Sequence, residues 1–123
     1  MADRSLRGCR ILVAEDEYML ADDLCAELAN AGAIVVGPAG TVEDVLELAR
    51  SEPDLDGAIL DINMRGEMVF PVAETLMERG VPFVFTTGYD ASAIPPRFDR
   101  VVRCEKPIDL GKVAQALGRA IAT

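Results

Sequence analysis

The chain has 123 residues and a formal net charge of -9; half of its residues are hydrophobic, and it contains three cysteines and no histidine. This length holds one core and excludes a second, the apolar content excludes a disordered chain, and the acidity opposes binding to nucleic acid or an anionic membrane. No run approaches the ~18 apolar residues of a membrane span, the N-terminus lacks the apolar stretch of a signal peptide, and Cys9, Cys25 and Cys104 have neither the spacing nor the histidines of a zinc site.

Taken in order, strand and helix patterns alternate without a long linker. Arg10 to Ala14 reads as a first strand running into Glu15-Asp16-Glu17. From Tyr18 the period changes: Leu20, Leu24 and Leu28, with Ala21, Cys25 and Ala29 beside them, form an apolar helix face that Gly32 ends. Ala33 to Gly37 is a second strand closed by Pro38, and Thr41 caps a helix carrying Val42, Val45, Leu46 and Ala49, with Asp44 in a capping-box position. Pro53 and Asp54 mark its stop. The next run, Ala58-Ile59-Leu60-Asp61-Ile62-Asn63-Met64, is flanked by Gly57 and Arg65-Gly66 and reads as a buried parallel strand that runs out at Asp61.

The second half repeats this rhythm. Pro71 suits the first turn of a helix whose predicted buried side is Val72, Ala73, Leu76 and Met77, stopped by Gly80. Val81 to Thr87 is a fourth buried strand. Pro95-Pro96 removes two successive amide donors, so at most one helical turn is predicted between Asp90 and Phe98. Val101 to Cys104 is a short fifth strand, and after Lys106-Pro107 a last helix, capped by Asp109, turns Leu110, Val113, Ala114, Leu117 and Ile121 inward. Five strands alternating with helices predict an α/β doubly wound parallel sheet with right-handed crossovers.

In such a sheet, ligands gather beyond the carboxyl ends of the strands. Those ends deliver Glu15 and Asp16, then Asp61, then Thr87, then Lys106. Each residue has a plain reading by itself. Asp61 suits a turn, Glu15-Asp16-Glu17 a helix N-terminus, Thr87 a strand end and Lys106 a solvated surface. Their joint arrival at one sheet edge is what points to chemistry. Clustered carboxylates repel and call for a hard divalent ion with oxygen ligands, for which room for water favours magnesium. A carboxylate beside it can accept a phosphoryl group, with the lysine and hydroxyl stabilising the phosphoryl oxygens.

The stretches Ile11 to Glu17, Leu60 to Met64, Phe85 to Tyr89 and Lys106-Pro107, in this order and spacing, resemble the receiver domain of bacterial two-component response regulators over essentially the whole chain. The resemblance implies a flavodoxin-like sheet in strand order 2-1-3-4-5. It also implies that Asp61 is the phosphoacceptor, Thr87 the switch hydroxyl and Lys106 the phosphate-binding lysine. Magnesium, for which manganese can substitute, would be held by Asp16, Asp61 and the Asn63 backbone carbonyl, with Glu15 acting mainly through water. Arg103 stands in place of the usual aromatic switch, Arg65 in place of a proline, and Pro95-Pro96 in place of the fourth crossover helix.

With Pro82 to Tyr89, these departures resemble the FAT GUY subclass, although Thr86 stands where that motif has alanine. Tyr89 and Arg103 are the switch candidates. The implied partners are a sensor histidine kinase, of the HWE or a related type, or a phosphotransfer protein, together with a downstream protein effector and a place in a stress response. The expectation is a cytoplasmic receiver domain over 1–123 without an output domain, a phosphoacceptor rather than an enzyme. Two alternatives stay open: a receiver-like module that binds irrespective of phosphorylation, and a magnesium-dependent aspartyl-phosphate phosphatase, whose second Asp is here Asn63.

Overall fold

A computed structural model describes residues 6–88 and 94–122. The chain runs β1 (Arg10–Ala14), α1 (Tyr18–Asn30), β2 (Ile34–Ala39), α2 (Val42–Ser51), β3 (Gly57–Asp61), β4 (Asn63–Met64), β5 (Glu67–Met68), α3 (Phe70–Glu78), β6 (Phe83–Thr87), a 3-10 turn (Pro96–Phe98), β7 (Arg103–Glu105) and α4 (Leu110–Ala122). The main sheet has the order β2-β1-β3-β6-β7 with every pairing parallel. β6 and β7 are the fourth and fifth strands of the predicted order. The fold is the doubly wound one expected, and among the described residues of the last crossover a 3-10 turn stands at Pro96–Phe98.

All five residues of β3 and of β6 are buried, as expected for central strands covered on both faces. Alternation sends Leu60, Phe83 and Phe85 into one core with Val45, Val72, Leu76 and Phe98. Ile11, Val13, Ile59 and Val84 enter the other, with Leu24, Leu28, Val113 and Leu117. Thus α2 and α3 cover one face, and α1 and α4 the other. Each fully buried Leu, Ile or Phe contributes about 1.5–3 kcal/mol. Gly57 lets α4 approach: a Cβ there would lie 2.9 Å from Ile121 Cδ1 and 3.1 Å from Leu117 Cδ1. The predicted caps are present, with Thr41 Oγ1 accepting from the Asp44 amide (3.2 Å) and Asp109 Oδ1 from the Lys112 amide (3.1 Å).

Several boundaries differ from the sequence reading, and each for a reason of hydrogen bonding. β2 starts one residue later because the Ala33 amide closes α1 on Leu28 O. It runs through Pro38 to Ala39, past a register shift on the edge of the sheet, where a missing donor is tolerated. β6 starts at Phe83 because the Val81 amide bonds Leu76 O at the end of α3. β7 starts at Arg103 because the Val101 amide closes the 3-10 turn on Phe98 O. Met77, predicted buried, is 47% exposed; the inward stripe of α3 is Val69, Val72, Ala73 and Leu76. Ala29 of α1 is likewise exposed. The β4–β5 hairpin was not predicted. Arg65 (φ 54) and Gly66 (φ 88) make its turn with the two left-handed residues that match strand twist.

Candidate functional site

Four polar side chains are buried among the described residues: Glu15, Asp61, Thr86 and Thr87. All lie at the carboxyl ends of β1, β3 and β6, where the apolar alternation of each strand gives out. Asp61 is the last residue of β3 and Thr87 the last of β6. Lys106 follows β7 directly, and its amide bonds Thr87 O at 2.8 Å, which holds the lysine at this edge.

The lysine draws the acids together. Its Nζ lies 3.1 Å from Asp61 Oδ2 and 3.3 Å from Glu15 Oε1. Oxygens of Glu15, Asp16 and Asp61 all lie within 4.8 Å of one another, a set that could hold a metal ion. Lys106 Nζ also donates a long 3.5 Å bond to Glu15 Oε2, and backbone amides donate from Glu17 to Glu15 Oε2 (3.0 Å), from Asn63 to Asp61 Oδ1 (3.3 Å) and from Arg65 to Asp16 Oδ2 (3.0 Å). Thr87 donates only a long 3.4 Å bond to Gly88 O, so its hydroxyl is weakly engaged. Glu15 Oε1, though at ion-pair distance from the lysine, is buried without a hydrogen bond of good geometry. An under-satisfied buried carboxylate oxygen beside two other carboxylates suits a cation site.

Electrostatics reflect the same crowding. Burial lifts the Glu15 carboxyl to about 7, with the Glu17 amide pulling it down and the Asp61 charge pushing it up again. Burial also raises Asp61, against the attraction of Lys106. Burial works to lower the Lys106 ammonium, but the charges of Asp61 and Glu15 prevail and it is raised. Charge is therefore held here under strain, which a divalent cation would relieve.

Glu15, Asp16, Asp61 and Lys106 thus come together, and Thr87 ends the neighbouring β6 with its carbonyl bonded to the Lys106 amide. The Asn63 amide touches Asp61, while its side-chain oxygen accepts from Gly66 in the hairpin (2.9 Å). Arg103 lies on β7, paired with Phe85, outside the cluster. Tyr89 lies outside the described residues. The sequence reading missed the Arg65 amide, which ties the hairpin to Asp16; the Arg65-Gly66 turn was its signal. A cleft of about 800 Å³ opens beside Lys106, between Glu17, Met19 and Leu20 on one side and Pro107, Ile108 and Leu110 on the other. Met19, which lines it, stands 75% exposed.

No protein-family model matches the chain. It is 38% identical to SdrG from Sphingomonas melonis Fr1, whose solution structure superposes with a TM-score of 0.78 over 94% of this chain and 98% of that one. A response regulator receiver protein from Sinorhizobium medicae WSM419 shares the fold at a TM-score of 0.81 and 24% identity, over 96% and 98% of the two chains. Transcriptional regulatory protein PdtaR of Mycobacterium tuberculosis is 35% identical over 82 residues, 65% of this chain. The chain spans about two-fifths (39%) of the length of that curated relative.

Proposed function

The chain belongs to the receiver domains of response regulators, and from that premise we propose that Asp61 accepts a phosphoryl group from a phosphorylated histidine of a sensor kinase or phosphotransfer protein. One observation carries the reading: a lysine ammonium 3.1 Å from a buried strand-end carboxylate, inside a cluster of three acids. An Asp61 oxygen attacks phosphorus as the donor nitrogen–phosphorus bond breaks, leaving an acyl phosphate. Lys106 then pairs with the phosphoryl charge and the Thr87 hydroxyl donates to a phosphoryl oxygen. Magnesium, held by Asp16, Asp61 and the Asn63 carbonyl with Glu15 through water, would supply the positive charge that lets an anionic nucleophile meet an anionic phosphoryl group.

The donor's approach is supported by the cleft beside Lys106 and its exposed Met19, which suit a protein surface. The signal leaves by contact with a downstream protein or by competition for phosphate, through the segment from Asp90 to Arg103. Of the switch candidates, Tyr89 immediately precedes this segment in the sequence and Arg103 ends it as the first residue of β7; its described part has a 3-10 turn at Pro96–Phe98. The FAT GUY likeness of the sequence favours a kinase of the HWE or a related type, a cytoplasmic setting and a stress response.

Intact-mass spectrometry after incubation with acetyl phosphate and magnesium tests the proposal. One phosphoryl adduct is expected, absent in Asp61→Asn and absent with a chelator. An Asp61→Asn protein that takes up acid-labile phosphate at the wild-type rate would sink it.

A further inference from the structure

Thr86 is buried at 0% exposure, and its hydroxyl has no hydrogen-bond partner. Such a hydroxyl is destabilising, and a valine of the same shape would not carry that cost. Its place in the sheet is informative. Thr86 pairs with Asp61 on β3 and with Cys104 on β7. Ile59 and Val84 pack under α1 and α4, whereas Leu60 and Phe85 pack under α2 and α3. Alternation therefore puts Asp61 and Thr86 side by side on the α1/α4 face.

Because β6 lies between β3 and β7, the Lys106 side chain crosses β6 to reach Asp61. The unpaired hydroxyl sits on the strand that it crosses. Neighbouring strands are about 4.8 Å apart. Thr86 and Asp61 are thus direct neighbours on adjacent strands.

We propose that Thr86 is a further catalytic group, a hydrogen-bond donor to the Asp61 carboxylate during loss of its phosphoryl group; this rests on the reading of Asp61 as phosphoacceptor. When water attacks, an oxygen–phosphorus bond forms and the bond from phosphorus to the Asp61 oxygen breaks. The electron pair stays on the carboxylate, and the water proton passes to phosphate and solvent. Lys106 and Thr87 are by then engaged with the phosphoryl oxygens. The emerging carboxylate needs a donor on its inner side, and Thr86 has one with no other partner. The hydroxyl thus shortens the life of the acyl phosphate while costing stability in the resting protein.

The test uses the full chain, charged with acetyl phosphate and magnesium, and follows decay of the adduct by intact mass for wild type, Thr86→Val, Thr86→Ala and Thr86→Ser. Valine and alanine are expected to lengthen the lifetime about five- to tenfold, the scale of one hydrogen bond to a developing anion. Serine should keep the wild-type lifetime. Unphosphorylated Thr86→Val should melt at or above the wild type, which separates the effect from misfolding. An unchanged or shorter lifetime in Thr86→Val, or one lengthened equally in Thr86→Ser, overturns the inference while leaving Asp61 as phosphoacceptor. Wild-type protein that takes no adduct from acetyl phosphate or from its kinase fails before any Thr86 variant is compared, and removes both.

Discussion

The face of the sheet under α2 and α3 is built from Phe83, Phe85 and Phe98 with Phe70 against them, whereas the face under α1 and α4 is aliphatic until the strands end and Glu15 and Asp61 appear. The rings form one cluster: Phe98 stacks on Phe70 at 5.6 Å and meets Phe85 edge-on at 5.7 Å. Large rings, close contact and no polar atoms make this face a source of stability. The opposite face ends in buried ionisable groups whose pKa values are all raised, which favours the neutral form of Glu15 and Asp61 and the charged form of Lys106. The difference teaches where each property resides. Stability comes from packing that neighbouring residues share, while reactivity comes from a few charged groups that the packing holds in place.

The largest test of this division is Phe98→Ala. Phe98 is 0% exposed and anchors the crossover between β6 and β7 to the aromatic core. Its truncation is expected to cost about 3–5 kcal/mol in urea unfolding, while the folded fraction still takes a phosphoryl group at Asp61. Loss below 1 kcal/mol, on the order of a surface change, would break the comparison.

Next in size is the pH dependence of the metal-free protein. Glu15 and Asp61 hold their protons more tightly when folded than when unfolded. Their contribution is full below the ordinary carboxylate range and is lost as pH rises through the Glu15 value of about 7. Thermal melts in chelator should therefore fall by several degrees between pH 5.5 and 8. Magnesium should flatten that slope, because bound cation favours the ionised acids. A melting temperature that rises over this window without metal would contradict the electrostatic account.

The smallest expected effect is at Met77, which shares α3 with the buried Leu76 but stands 47% exposed. Met77→Gln should change stability by less than about 0.5 kcal/mol, measured beside Leu76→Ala at about 2–5 kcal/mol. Equal losses would mean that the inner stripe of α3 is wrongly drawn.

Much of this was legible in the chain itself. The change of period at Tyr18, the caps at Thr41 and Asp109, the stops at Gly32 and Gly80 and the buried runs around Ile59 and Val84 are local signals, and each produced its element. The placement of the candidate residues was legible for a related reason: parallel strands share one carboxyl edge, where Glu15, Asp16, Asp61 and Lys106 meet and where β6 ends at Thr87.

Other features depend on partners distant in the chain. Pro38 stays in a strand only because β2 is at an edge, and the Val101 amide is spent on a turn closed by Phe98. The hairpin is held to the site by the Arg65 amide reaching Asp16. Local period and capping chemistry are written along the sequence and determined the elements and the edge at which the acids meet. The reach of one side chain across a neighbouring strand is not, so only the tertiary structure decided that Lys106 spans β6 to Asp61 and Glu15, and that the Thr86 hydroxyl is buried on that strand without a partner.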